Sequence, residues 1–514
     1  MSARTKRAVP DELRRLISQQ MHSDPLLPHS QPTTSSWQLP PHELANIRSE
    51  NVPEEVDYVI IGSGITACGV VKTLLEDPSS AEKSVAVLEA RELCSSATGR
   101  NGGQLTRIPP NRHLEIAERY GVEQANTVVR LNLKCLQEMH ALAESHGPEF
   151  EKDCRHVRLE KFFSYYDEDL YEEAKEALKF YEAQIPEENG VFKVVSKEET
   201  SSVYHLRNAV GGFRFPAGVV SPYRLVTNTL KKLLADYPSR LTINTRTPVT
   251  AIHYDSGSAH KFPYMISTSR GPIRAKTVIH CTNGHSGHLN PGLRGSLYPA
   301  RGVMSAQSAP AQFPDSSRKN SWSFFRTASY HEQARVVEKG HYYAHQHPQT
   351  GDVWLGGHYD GTGGYITGND GEVDADAARN IVTMIPQLFD DQVTGGKASD
   401  SAKVWSGILG YTADSLPFVG RLPRRLTWRD GSGEWIAAGY NGWGMVNGLL
   451  CGSAVAQMVL GKDLTAWFPE TYGITDKRLD GQAFAKDEML RFYFEETGAF
   501  DMASQPHRSR PNKL

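Results

Sequence analysis

From Val56 to Glu76 the chain reads VDYVIIGSGITACGVVKTLLE: a near-continuous apolar run, a glycine turn, then a second apolar run at helical spacing. The first run predicts a parallel strand, Val56–Ile61, buried on both faces; the second predicts a helix. Upstream, residues 1–53 are rich in Pro, Ser, Gln and His. Apart from a short amphipathic piece near Asp11–Met21, they predict a mostly extended arm wrapped over the surface. Residues 111–210 carry long charged-amphipathic segments such as DEDLYEEAKEALKFYEAQI (167–185), which predict surface helices. Short β-rich runs follow between 241 and 284. HYYAHQHPQTGDVWLGGHY (341–359) predicts two antiparallel strands around a Thr-Gly-Asp turn. KVWSGILGYTADSLPFVG and EWIAAGYNGWGMVNGLLCGSAVAQMVLG then return to strand–turn–helix.

The glycine turn raises a chemical question. Gly62 permits a tight turn, and Gly64 lets the backbone approach a pyrophosphate, whose charge meets the free N–H groups of a helix N-terminus. The third glycine of the usual dinucleotide fingerprint is Ala67 here, with Gly69 just beyond. SVAVLEAR supplies a second strand ending in Glu89, 25 residues after Gly64. An acidic residue there is placed to accept from an adenosine ribose. Three further features favour FAD over a nicotinamide. ELCSSATGRNGGQ (92–104) is a polar, glycine-rich loop whose backbone donors and Arg100 suit a pyrophosphate or a flavin ring. TVIHCTNG (277–284) is a strand ending in a small-residue turn. The helix after Gly444 and Met445 presents its positive end where a reduced flavin pyrimidine would carry negative charge.

Composition narrows the class. With 56 basic and 59 acidic residues the formal charge is −3, so no electrostatic footprint for nucleic acid exists. No apolar run approaches the roughly 18 to 20 residues of a membrane span. MSARTKRAVPDELRRLISQQ lacks the apolar region of a secretory signal, and a cytoplasmic protein is expected. The six cysteines form no Cys-x-x-Cys pair and read as buried, reduced thiols; no metal is expected. The tail ends Asn512-Lys513-Leu514, one residue from the Ser-Lys-Leu peroxisomal address: either a variant of that address or a plain polar end.

The combination VIIGSGITACG, SSATGRNGGQ, VIHCTNGHSGHLNPGLRGSLYPARGVMSAQ, WSGILGYTADSLPFVGRLP and WIAAGYNGWGMVNG resembles the D-amino-acid oxidase-like family of FAD-dependent oxidoreductases, over roughly residues 55–465. It is most similar to the fungal members and the γ-glutamylputrescine oxidoreductase-like branch. The resemblance implies an α/β fold: a Rossmann-type FAD-binding domain with an interleaved α+β substrate domain built on an antiparallel sheet. The expected division is an arm (1–53), a discontinuous FAD domain (54–110, 211–290 and 400–465), a substrate domain (111–210 and 291–399) and a C-terminal extension (466–514). It implies that Gly62, Ser63, Gly64 and Thr66 hold the pyrophosphate and Glu89 the ribose. Arg100, Asn101, Gly102, Gly103 and Gln104 would line the stretch from pyrophosphate to isoalloxazine. Val249 would meet the adenine through its backbone, and Asn283 and Gly284 would flank the cofactor. Asp414 would lie near the ribityl chain, and Gly442, Gly444 and Met445 would cap the pyrimidine end. Sarcosine oxidase-like members carry Cys-Met-Tyr-Thr where this chain has Leu409-Gly410-Tyr411-Thr412, so the FAD is expected to be non-covalent. They also carry Lys-Leu-Gly where an ungapped comparison gives Trp354-Leu355-Gly356, which leaves open whether oxygen or another electron acceptor is used.

Family members oxidise a C–N bond of an amine substrate, and the imine is hydrolysed. The expected function is that of an FAD-dependent amine or amino-acid oxidoreductase. A tailoring step on a ring amine or alcohol in secondary metabolism, or a non-catalytic flavoprotein, is the alternative. Candidates over the flavin are Tyr343, Trp354 and His358 on the hairpin, whose side chains alternate in direction, so that about half face away. His285 beside the flavin loop is an acid/base candidate or a structural histidine. Arg301 would hold a carboxylate or bridge domains.

Overall fold

A computed structural model describes residues 7–8, 11–257, 260–331, 336–361, 364–399, 401–497 and 500–501. The carboxyl-terminal Asn512-Lys513-Leu514 lies outside them, as does the His358 side chain.

Strand Glu55–Ile61 has every residue from Val56 onward buried. It lies between two parallel neighbours, Val85–Leu88 and Gly271–His280. The sheet continues to Leu241–Asn244 beyond the first neighbour and to Glu434–Ala438 and Phe418–Arg421 beyond the second. Its two faces are covered differently. Tyr58, Ile60, Val85 and Val87 pack under helices Ile65–Glu76, Pro222–Asp236 and Gly448–Val459. Val59, Ile61, Ala86 and Leu88 pack under the antiparallel strands Val249–Tyr254 and Tyr264–Thr268. Burial on both faces is what a run without polar alternation requires.

The second sheet has ten strands and is built mainly from antiparallel pairs. Its order is Ala402–Thr412, Leu297–Gln307, Val353–Gly361, Val336–Gln346, Asn320–Phe325, Val157–Tyr165, Gly211–Val219 and Gln104–Leu105. The structure thus shows the α/β fold with a Rossmann-type sheet and an antiparallel one. Two segments grouped by sequence with the first sheet pair in the second. Gly211–Val219 pairs with Val157–Tyr165, and Ala402–Thr412 pairs with Leu297–Gln307 along its whole length. KVWSGILGYTADSLPFVG is accordingly strand, turn and strand. Ser415 takes φ +61°, a left-handed turn conformation, and the chain passes directly into strand Phe418–Arg421.

The amphipathic segments of 111–210 include Val122–Glu144, a helix with eleven buried residues that belongs to the core rather than the surface. The amino-terminal arm is also more than a surface wrap. Helix Asp11–His22 packs Leu13, Ile17 and Met21 against Met489, Leu490, Tyr493 and Phe494 of the carboxyl-terminal helix. Trp37 is fully buried, and Arg7–Ala8 pairs with Phe500–Asp501. Six cysteines are free and Cys281 is half-buried while the others are buried.

Candidate functional site

The glycine turn after Ile61 opens a cleft of about 1580 Å³, counting its solvent-open part. Gly62 sits at φ +102°, and a side chain there would start 2.7 Å from the Cys281 carbonyl. A Cβ on Gly64 would lie 2.8 Å from Thr98 Oγ1. Neither position admits a side chain without displacement. The Ser63 N–H and hydroxyl both donate to Glu89 Oε2, at 3.1 and 2.6 Å, and the Arg91 N–H donates to Oε1 at 3.0 Å. The turn and the end of the second strand are therefore tied together, with the buried Glu89 carboxylate on the cleft wall. Thr66 Oγ1 lies 2.8 Å from the Tyr440 hydroxyl. The close-packing role expected at Ala67 falls to Gly69, where an added Cβ would meet the Leu449 carbonyl at 2.1 Å. The Ile65 N–H at the start of helix Ile65–Glu76 donates to Thr98 Oγ1 at 3.0 Å, and the amide of Thr66 behind it, without an intrahelical partner, borders the cleft as an anion site needs.

Arg100 lines the cleft with its side chain wholly buried. Its Nε donates to the Ser406 carbonyl at 2.6 Å and Nη2 to Thr33 Oγ1 at 2.6 Å, while Asp370 lies 3.5 Å away. Nη1 is buried without a hydrogen-bond partner, a donor left over for a bound group. Burial lowers the Arg100 pKa to about 10, against the pull of Asp370, so it is still a cation at neutral pH. Asn101 lines the cleft and accepts from the Gly103 N–H at 2.7 Å. Gly102, Gly103 and Gln104 lie behind the wall. Gly102 lies under the Tyr343 ring, Gly103 at φ +66° faces the Val220 carbonyl, and Gln104 donates to the Ala344 carbonyl at 2.9 Å.

Opposite, Val249, Asn283 and Gly284 line the cleft, as do Gly442, Gly444 and Met445. Asn283 Oδ1 accepts from the Gly439 N–H at 3.0 Å, which joins the two loops. Asp414 lies off the wall: Arg478 donates to both its oxygens, at 2.8 and 3.0 Å, fixing the carboxyl-terminal segment to this turn.

Of the residues proposed for chemistry, Tyr343 and His285 line the cleft. Burial pushes the Tyr343 hydroxyl up to about 12, so it stays protonated. Burial also lowers the His285 pKa, and its Nδ1 lies 3.0 Å from the Leu26 carbonyl. Trp354 shares the Tyr343 side of its hairpin but is packed into aromatic rings: Trp37 at 4.2 Å, His347 at 5.4 Å and Trp405 at 5.4 Å between centroids. Arg301 is buried, off the wall, and donates to Glu372 at 3.0 Å. Tyr342 faces the other side and hydrogen-bonds Glu338 and Asn380.

Sequence reasoning missed several participants. Lys161 is fully buried and donates to Gln104 Oε1 and, at 3.1 Å, to the Trp322 carbonyl. Burial holds its pKa well below the lysine range. In VRLEKFFSY, Arg158 and Glu160 take the exposed positions, whereas Lys161 falls in the buried alternation of Leu159 and Phe163, and a charge on that register is the signal that marks it. Leu26, Leu27 and Pro28 of the arm also line the cleft, with no motif to announce them. Away from the cleft, His140, Glu144 and His156 stand within 4.8 Å of one another, His140 Nδ1 being 2.7 Å from His156 Nε2. No helix among the described residues is long and apolar enough to cross a membrane.

The model of the DAO family, described as FAD dependent oxidoreductase, matches residues 57–458. Glycine oxidase from Geobacillus kaustophilus is similar in structure, with TM-score 0.58, 19% identity and coverage of 82% of this chain and 99% of that one. L-proline dehydrogenase from P. horikoshii gives TM-score 0.58 at 18% identity, over 82% and 97%. An L-amino acid deaminase from Proteus myxofaciens in complex with anthranilate gives 0.56 at 15%, over 87% and 99%. No curated protein matches in sequence.

Proposed function

This chain belongs to the DAO family of FAD-dependent oxidoreductases, and from that footing we propose that it oxidises a C–N bond of a small amine or amino acid. The observation that carries the proposal is the single cleft joining the Gly62–Thr66 turn, the Glu89 carboxylate, Arg100 and the Gly442–Met445 loop. FAD, when bound, supplies the acceptor for the hydride from the amine-bearing carbon, and water hydrolyses the resulting imine.

Gly62, Ser63, Gly64 and Thr66 would hold the pyrophosphate, Glu89 the ribose and Val249 the adenine. After its bonds to Ser63 and Arg91, Glu89 keeps one unused acceptor site, on Oε1, which suits a ribose hydroxyl. Arg100 Nη1, Asn101, Asn283 and Gly284 would flank the middle, and Gly442, Gly444 and Met445 the pyrimidine end. Gly102, Gly103, Gln104 and Asp414 would act at one remove, by setting the shape of the wall. Non-covalent attachment is supported by Leu409 on the wall and by the Cys281 thiol, whose pKa burial raises far above its usual value.

The substrate would sit against the second sheet, where Tyr343, Met304 and Leu409 offer a mostly apolar wall that excludes water. Tyr343, protonated at neutral pH, would donate a hydrogen bond to orient the amine. The relatives named glycine oxidase, L-proline dehydrogenase and L-amino acid deaminase support a substrate with an oxidisable C–N bond. The test is an anaerobic screen in which the yellow protein meets amines, amino acids and alcohols. Bleaching of the flavin band by an amine supports the proposal; bleaching by alcohols alone, or by nothing, rejects it. Readmitting air then tells oxygen from another acceptor.

A further inference from the structure

The amino-terminal arm crosses the cleft between two anchors. At the first, Asp24 accepts from Arg294 Nη2 at 2.7 Å and stands 3.0 Å from His288 Nδ1. At the second, the Thr33 N–H donates to the Asp370 carbonyl at 2.8 Å and Thr33 Oγ1 accepts from Arg100. Asp370 is itself buried and held by Arg91 through two hydrogen bonds, at 2.9 and 3.0 Å. Between these anchors Leu26, Leu27 and Pro28 form part of the cleft wall. The Leu26 carbonyl meets His285 Nδ1, and the His29 carbonyl accepts from Arg91 Nη1 at 3.1 Å. Arg91 is also the residue whose N–H holds Glu89. Leu26 takes φ +60°, a conformation that costs a bulky side chain energy and persists only where the surroundings enforce it.

We propose that residues 24–33 are a cofactor-binding segment: a strap across the adenosine half of the cleft that must lift before FAD can leave. The inference rests on the FAD reading above and adds to it a part of the chain outside the 57–458 region that the family model covers. Leu26–Pro28 supply the apolar cover, His285 and Arg91 latch it from below, and the ion pair Asp24–Arg294 sets how often the free side opens. The ion pair is half-exposed, so its removal leaves the core packing untouched.

The test uses the full chain carrying FAD, with Asp24→Ala and Leu27→Gly compared with wild type. Flavin release after dilution, read by recovery of flavin fluorescence, should accelerate about tenfold or more in both variants. Release within twofold of wild type in both overturns the strap. Hydrogen exchange on wild-type protein, stripped of flavin and then reloaded, needs no variant to fold. Amides 24–33 should slow on loading, and identical exchange in the two states overturns the proposal. A wild-type chain that never takes up FAD sinks the underlying reading instead.

Discussion

The indole N–H of Trp37, on the amino-terminal arm, donates to the main-chain oxygen of Asn101, in the loop that lines the cleft, at 2.6 Å. Trp37 is fully buried, so Trp37→Phe leaves that carbonyl without a partner while keeping most of the ring packing. The expected cost is about 1–3 kcal/mol of stability, seen as a lower denaturant midpoint at unchanged slope. Trp37→Ala should cost more, about 3–5 kcal/mol, through the cavity it opens beside Trp354.

Helices Ile65–Glu76 and Gly448–Val459 touch through glycine. A Cβ on Gly452 would lie 2.1 Å from the Thr66 carbonyl. Gly452→Ala should push the helices apart at a cost of about 1–3 kcal/mol. Because Thr66 lies on the cleft wall, FAD should also bind more weakly, measured by titrating the stripped protein with flavin.

Burial holds the His140 and His347 pKa values at about 4, with nearby arginines adding to the effect. Both are neutral in the folded chain, whereas an unfolded histidine titrates near 6.5. Below that pH the unfolded state binds more protons, so the stability each contributes is present above pH 6.5 and is lost as pH falls toward 4. Roughly 3 kcal/mol per histidine is at stake by pH 4. Denaturant midpoints measured from pH 7 to pH 4 should fall, and less steeply in His347→Phe.

Lys161 gives the same sign at the other end of the scale. Burial depresses its pKa, so the folded chain holds it with fewer protons than the unfolded chain does up to about pH 10.5. Its contribution is complete above that pH and is lost on descent. A neutral amine donates two hydrogen bonds, the number that Gln104 and the Trp322 carbonyl accept. The stability of wild type relative to Lys161→Met should therefore rise between pH 6 and pH 9. A difference that stays flat would mean that the lysine is buried as a cation.

If the FAD is held without a covalent bond, as Leu409 and the protonated Cys281 thiol imply, acid precipitation should leave the yellow colour in the supernatant. Colour in the pellet would point to a tether.

The first strand, its turn and Glu89 were legible because each rests on short-range rules: an apolar run, a glycine at positive φ, an acidic strand end. The hairpin of residues 336–361 was legible for the same reason. Membership of a sheet was not. Gly211–Val219 and Ala402–Thr412 have strand patterns, but which sheet they join depends on partners such as Val157–Tyr165, distant in sequence. Trp354 and Arg301 were drawn toward the site by their chemistry, yet their surroundings occupy them: aromatic rings for one, Glu372 for the other. The arm itself was legible, but its burial at Trp37 and its place on the cleft wall were not, because a single buried tryptophan in polar sequence has no period to detect.

The interleaving of the first sheet has a consequence for biosynthesis. Strand Glu55–Ile61 leaves the ribosome well before its flank Gly271–His280, and that strand in turn awaits Glu434–Ala438. Throughout the interval between these strands an apolar edge stays unpaired, the situation in which nascent chains aggregate or recruit chaperones. Truncated transcripts ending before residue 434 should therefore yield insoluble product, because the sheet cannot close until that strand has been made.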